Sequence, residues 1–148
     1  MRTRRLITSL YMGQSAVVRV NDEVTEPSEI GRGVRQGCLI SPMLFNVYAE
    51  AMMKEALDKV EDGVKVGGET LKAVRFADDQ AMIASTEEGL QRIMDNTVRV
   101  IESYGMRINT KKTKVMRISR TPGDVAIKVQ GVTLEQVEKF KYLGSQLS

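Results

Sequence analysis

Between Ser41-Pro42 and Val60 the chain carries one long, mostly apolar segment, and no other stretch restricts the fold as much. Ser followed by Pro is a strong helix start, because Ser caps the free N–H groups and Pro at the first helical position gives up only an orphan donor. Behind them Asn46, Glu50, Lys54 and Asp58 recur every fourth residue, which places them in one stripe along a helix with Glu50 and Lys54 as an ion pair. Alanine, methionine, leucine, valine and aromatic residues fill most of the other positions. A helix with so narrow a wet face is largely buried. The segment therefore predicts the central helix of a domain.

Around it the periodicity alternates between helix and strand. Leu6, Ile7, Leu10 and Tyr11 have helical spacing. Ala16 to Val20 reads as a strand that returns through Val24 after the turn residues Asn21-Asp22, and Pro27 ends it. Val74 to Ala77 and Ala81 to Ala84 read as a tight hairpin with Asp78-Asp79-Gln80 between them. Ser85 followed by Glu88 has the capping-box pattern. The helix it opens carries Leu90, Ile93, Met94, Thr97, Ile101 and Tyr104 on one face and stops at Gly105. Beyond it, Val115 to Ile118 and Val125 to Val129 read as strands joined by a Thr121-Pro122-Gly123 turn, and a last strand spans Phe140 to Leu143, ended by Gly144. Hairpins without regular βαβ spacing predict an α+β fold, a small antiparallel sheet with helices packed on one face.

Composition removes many kinds of chemistry. With 148 residues the chain supports one ordinary domain, and 42% hydrophobic residues are too many for a disordered one. There is no histidine, so His-based triads, His metal sites and the usual neutral-pH proton shuttle are excluded. A single cysteine makes neither an intramolecular disulfide nor a thiolate zinc site. No apolar run approaches the ~20 residues that span a bilayer, so a membrane is not among the expected partners. Chemistry is left to carboxylates, Lys, Arg and the backbone.

Charge is unevenly laid out. Residues 1–21 hold Arg2, Arg4, Arg5 and Arg19 without an acid, and residues 103–123 hold Arg107, Lys111, Lys112, Lys114, Arg117 and Arg120 without an acid. Such windows suit a polyanion, because phosphate neutralisation drives sequence-independent nucleic-acid binding. They equally suit a solvated basic face.

Three local features could carry chemistry. Adjacent Asp78-Asp79 in an apolar run is unfavourable unless neutralised, and a divalent cation with oxygen ligands, Mg²⁺ foremost, would neutralise it. Turn chemistry accounts for the same pair without a metal. Glycines at 31, 33 and 37, with the donors Arg35 and Gln36 and a helix start directly after them, suit close approach of an anion; a plain connector has the same composition. Lys111, Lys112 and Lys114 suit triphosphate neutralisation or proton donation to a leaving group, or a solvated turn.

Taken in order, these features closely resemble the reverse transcriptases of non-LTR (LINE-type) retrotransposons, from Leu6 to Ser148. Gly33-Val34-Arg35-Gln36-Gly37-Cys38-Leu39-Ile40-Ser41-Pro42-Met43-Leu44-Phe45-Asn46 is similar to that family's nucleotide-binding motif, with Leu39-Ile40 in place of the usual Pro-Leu. Phe76-Ala77-Asp78-Asp79 is similar to its catalytic hairpin. Gly105-Met106-Arg107-Ile108-Asn109-Thr110-Lys111-Lys112-Thr113-Lys114 is similar to the motif that follows, and Lys141-Tyr142-Leu143-Gly144 to the segment opening toward the primer-gripping hairpin.

The resemblance implies a partial right-hand polymerase palm across residues 1–148, with the thumb-proximal primer-grip region starting at about residue 140. It implies an RNA template, a DNA primer and dNTP as partners of the complete enzyme, and two Mg²⁺ ions that activate the 3′-hydroxyl and stabilise the leaving pyrophosphate. Asp78 and Asp79 would be catalytic metal ligands. Arg35, Gln36 and Gly37 would border the incoming nucleotide, Lys112 would approach the triphosphate, and Lys111, Lys114, Tyr142 and Gly144 would contact nucleic acid.

The family supplies a further metal-binding Asp from a strand ahead of the nucleotide-binding motif. The acids before Gly31 are Asp22, Glu23, Glu26 and Glu29, in a polar turn and its flank, and Asp58 and Asp62 lie at the end or exit of the long helix. None matches. The expectation is a chain lacking the fingers and the first catalytic strand, with Met1 an internal methionine of the parent, and inactive alone. The alternative is a non-catalytic nucleic-acid-binding remnant, a pseudogene product or a reused domain.

Overall fold

The computed structural model describes residues 2–121 and 123–148, with the Arg2 side chain outside that description. The chain divides into two compact units, Met1–Val47 and Tyr48–Ser148. Three helices and short strand pairs make it α+β.

In the first unit, α1 (Arg2–Tyr11) leads into two nested antiparallel pairs. The outer pair joins β1 (Gln14–Ala16) to β4 (Ser28–Ile30), and the inner joins β2 (Arg19–Val20) to β3 (Glu23–Val24). Asn21 and Asp22 form the turn between β2 and β3 with φ of 48° and 68°, the left-handed values a type I′ hairpin turn requires and that Asn and Asp tolerate. The single strand expected over Ala16–Val20 is broken at Val17-Val18. There Val18 N–H donates to Thr25 Oγ1 and Thr25 N–H to the Val18 carbonyl, both at 3.0 Å.

Helix α2 (Ser41–Leu57) begins in this unit and continues into the second. Its first backbone bond runs from Leu44 N–H to the Ile40 carbonyl, so Ser41 lies inside the first turn rather than capping it. The expectation that α2 is largely buried is also corrected. Ala49, Met52, Met53 and Ala56 form its one buried stripe, whereas Met43 and Val47 are each 69% exposed. Glu55 lies off the Asn46–Asp58 stripe and widens the wet face. Glu50 does not pair with Lys54; it meets Arg75 at 3.0 Å.

The second unit holds every buried apolar residue among those described. Two antiparallel hairpins follow α2: β5 (Val64–Val66) with β6 (Glu69–Leu71), and β7 (Ala73–Phe76) with β8 (Asp79–Met82). Helix α3 (Glu87–Ser103) comes next. Its cap is Thr86, whose hydroxyl accepts from Gly89 N–H at 3.0 Å; the expected cap, Ser85, instead donates to the Gly63 carbonyl at 2.8 Å. At the other end Gly105, at φ 72°, closes a Schellman motif, with Met106 N–H on the Ile101 carbonyl and Gly105 N–H on that of Glu102.

Beyond α3 the pairing departs from expectation. Strand β9 (Lys114–Val115) runs parallel to β12 (Glu135–Gln136), and β10 (Lys128–Val129) pairs with β11 (Val132–Thr133) around Gln130-Gly131. The turn expected at Thr121-Pro122-Gly123 falls, at Pro122, outside the described residues. Strand β13 (Phe140–Tyr142) pairs with β14 (Ser145–Leu147) around Leu143-Gly144, both at positive φ. The strands thus form seven two-stranded ladders among the described residues, one of them parallel, where a single antiparallel sheet was expected.

Helix α3 organises two hydrophobic clusters. Met94 packs with Val115, Ile127, Val129 and Leu134, while Val100 packs with Met52, Met53 and Ala56 of α2; Met82 touches both groups. Burying a methionine such as Met53 contributes roughly 1.5–3 kcal/mol. With no tryptophan, flexible methionines fill the gaps between these elements. Among the described residues no helix is long and apolar enough to cross a membrane.

Candidate functional site

The β7–β8 hairpin presents Asp78 and Asp79. Phe76 pairs with Asp79, so the turn is only Ala77-Asp78, and Asp79 and Gln80 belong to the return strand rather than to the tip. Ala77 has φ 52°, a left-handed conformation that costs an alanine about 1 kcal/mol or more. Both aspartates are exposed, as are Val74 and Phe76, at 40% and 64%. The carboxylates therefore stand in solvent rather than in the apolar setting that their neighbours in sequence suggested.

The hairpin is held from its base. Arg75 on β7 pairs with Glu50 on α2, Lys72 Nζ donates to the Leu57 carbonyl at 2.9 Å, and Ile83 N–H donates to the Lys72 carbonyl at 2.8 Å. Tyr142 on β13 reaches both strands: its hydroxyl lies 3.0 Å from the Val74 carbonyl and 3.2 Å from that of Asp79. Burial first, and then the Asp79 charge, push the Tyr142 phenol above its ordinary pKa of 10.0. The sequence marked Tyr142 only by its place in a motif, and no spacing rule pointed to Arg75 as the partner of Glu50.

Two adjacent aspartates are the hard oxygen donors that Mg²⁺ takes, one or two per ion, with water and phosphate oxygens completing the shell. They suit one ion. Among the described residues, no three His, Cys, Asp or Glu side chains come together to hold a metal.

The basic segment after α3 is shaped by Asn109. Its backbone carbonyl accepts from Lys112 N–H at 3.0 Å and from Thr113 N–H at 2.9 Å, and its side-chain oxygen also accepts from Lys112 N–H at 3.2 Å. Lys111 and Lys112 stand exposed on this turn. Lys114 is different, since its ammonium lies 2.5 Å from Glu135. Gly144, at φ 83°, serves the β13–β14 turn.

In the first unit, the glycine loop is tied to the start of α2. Arg35 to Cys38 form a turn in which Cys38 N–H donates to the Arg35 carbonyl at 3.3 Å and Gly37, at φ 80°, takes the position only glycine occupies without strain. Ser41 Oγ donates to the same carbonyl at 2.6 Å. Tyr11 Oη donates to Cys38 Sγ at 3.3 Å and lies 2.9 Å from Ser41 Oγ. The Tyr11 hydrogen bond, aided by the Ile40 backbone, lowers the Cys38 thiol from 9.0 to about 7. Arg35, Gln36 and Gly37 are exposed, and a methyl group added at Gly33 or Gly37 would meet nothing within 4 Å.

Comparison with known proteins places these elements in a family. The family described as reverse transcriptase (RNA-dependent DNA polymerase) matches residues 1–147. The Retrovirus-related Pol polyprotein from type-2 retrotransposable element R2DM of Drosophila melanogaster is 29% identical over 148 residues, covering 93% of this chain and 14% of its own length. The corresponding polyprotein of the type-1 element R2 of Nasonia vitripennis is 31% identical over 76% of this chain and 12% of its own length. The RNA-directed DNA polymerase from mobile element jockey of Drosophila melanogaster is 27% identical over 80% of this chain, which spans 13% of that protein. The chain thus spans about an eighth of each of these relatives.

Proposed function

Because the chain belongs to the reverse transcriptase (RNA-dependent DNA polymerase) family, and proteins of non-LTR retrotransposons are among those it is similar to, we propose that it is the palm portion of an RNA-directed DNA polymerase. The parent enzyme would extend a DNA primer on an RNA template with dNTP. The observation that carries this reading is the Asp78-Asp79 pair, solvent-facing on a two-residue hairpin whose base is tied to α2.

Asp78 and Asp79 would hold Mg²⁺, which when bound supplies the Lewis acidity for attack by a 3′-hydroxyl. Arg35 and Gln36 would border the incoming nucleotide, with Gly37 leaving room for its approach. Lys112 would face the triphosphate, and Lys111 would contact the nucleic-acid backbone. Two metal ions need more carboxylates than this pair offers, so the chain alone is read as inactive.

A second reading, a nucleic-acid-binding remnant without catalysis, is favoured by the exposed Lys111 and Lys112 on a turn free of acids. One chimera separates the two. Residues 1–148 replace the matching segment of the jockey RNA-directed DNA polymerase, and primer extension on RNA is measured with Mg²⁺. Extension by the chimera, lost on Asp78→Asn while nucleic-acid binding persists, supports the polymerase reading. A folded chimera that binds nucleic acid without extending a primer supports the remnant. Extension that survives Asp78→Asn shows that Asp78 is only a turn residue.

A further inference from the structure

Tyr142 stands on a different hairpin from the aspartates, sixty-three residues from Asp79 in sequence, yet its hydroxyl reaches one carbonyl on each strand of the β7–β8 hairpin. A phenol has one proton, so the two carbonyls share it. That geometry spans the ladder rather than extending it. Val74 lies one pair below the Arg75↔Gln80 rung and Asp79 one pair above it, so the bridge crosses the hairpin diagonally just beneath the turn. The ring is half-buried, and the two hydrogen bonds themselves lie at the solvent-exposed edge of the hairpin. No other side chain among the described residues hydrogen-bonds to the backbone of Val74 or Asp79.

The turn that this bridge supports is otherwise poorly secured. It has only two residues, one of them an alanine at positive φ, and its side chains are exposed. Arg75–Glu50 restrains one strand alone and is itself solvent-accessible. We propose that Tyr142 is a positioning residue for the aspartate hairpin: its shared hydrogen bond fixes the Asp79 backbone, and thereby couples the β13–β14 hairpin to the placement of both carboxylates. Binding events at β13–β14 would then be felt at Asp78 and Asp79 without any contact between ligand and carboxylate. The inference rests on the polymerase reading for its consequence, but the bridge itself is a property of the chain.

The experiment uses residues 1–148 with Tyr142→Phe, which keeps the ring and deletes the proton. Amide hydrogen exchange is followed at Ala77–Gln80 and, as a folding reference, at Ile93–Val100 of α3. Loss of one hydrogen bond should raise hairpin exchange roughly fivefold with the α3 amides unchanged. Mn²⁺ is the metal probe: paramagnetic broadening at Asp78 and Asp79 gives its affinity, which should fall by a similar factor. If Tyr142→Phe also disturbs α3, a 3,5-difluorotyrosine at position 142 replaces it. That residue donates when protonated and cannot when ionised, so hairpin exchange, taken relative to the α3 amides at each pH, should rise along its ionisation in otherwise folded protein. Unchanged exchange at Ala77–Gln80 in Tyr142→Phe, or exchange that ignores the ionisation of the fluorinated residue, overturns the inference. Absence of Mn²⁺ broadening at Asp78 and Asp79 in the parent chain would instead count against the metal-binding reading, and the exchange data would still decide the role of Tyr142.

Discussion

Lys114 and Glu135 form a 2.5 Å ion pair that bolts the parallel β9–β12 ladder, so one of the three clustered lysines is already spent on protein. The cluster is thereby divided: Lys111 and Lys112 face solvent on the Asn109 turn, and Lys114 faces an acid.

Nucleic-acid binding by the chain should reveal that division. If Lys111 and Lys112 touch phosphates, replacing both with Gln should make the log–log dependence of affinity on salt shallower by about 2. Lys114→Gln should leave that slope nearly unchanged. Fluorescence anisotropy with a duplex across a salt series measures both. An unaltered slope in the double variant would mean that the turn is simply solvated.

Ala77 pays for its place at the tip of the hairpin with φ 52°. Glycine removes the clash of Cβ with the following carbonyl but adds freedom to the unfolded chain, so Ala77→Gly should stabilise by no more than about 1 kcal/mol. Ala77→Val should destabilise by about 1 kcal/mol or more, because β-branching makes the left-handed region costlier still. Urea unfolding of the two variants should therefore move in opposite directions.

Thr97 lies in the middle of α3, 1% exposed, and its hydroxyl has no hydrogen-bond partner among the described residues. An unpaired buried hydroxyl costs about 1–3 kcal/mol. Valine has nearly the same shape without that group, so Thr97→Val should raise stability by about 1 kcal/mol. A lower urea midpoint in this variant would show that Thr97 finds a partner in solution.

Cys38 should respond to pH near neutrality. Its thiol is held at about 7, first by the Tyr11 hydrogen bond, against an ordinary 9.0. A depressed pKa means that folding favours the thiolate. The associated stabilisation is complete above the unfolded value of 9.0 and is lost as pH falls through about 7. The rate of iodoacetamide alkylation should be half-maximal near pH 7 in the parent chain, and Tyr11→Phe should move that midpoint upward.

What the sequence disclosed was decided by proximity along the chain. Asn21-Asp22 as a turn, Gly105 as a helix stop and the Asp hairpin all depend on residues within a few positions of one another, and each is found in the structure. The misreadings are of two kinds. Thr86 displaced Ser85 as a cap because two adjacent hydroxyl residues compete and Gly63, far upstream, takes one of them. The parallel β9–β12 pairing and the Glu50–Arg75 bridge are contacts between distant segments, which no local period encodes. Of the site, the aspartates and lysines were legible as residue types in order. Their exposure, and the engagement of Lys114 and Tyr142 with protein groups, follow only from tertiary structure.

The distance in sequence between Asp79 and Tyr142 also sets an order in time. The β7–β8 hairpin closes over two residues, and such hairpins form in about 1–10 µs. Its brace lies sixty-three residues further along. At about 5–20 residues per second on a ribosome, Tyr142 is synthesised roughly 3–13 s after Asp79. Throughout that interval the aspartate hairpin has its ties to α2 but not the bridge across its two strands, which comes only with β13.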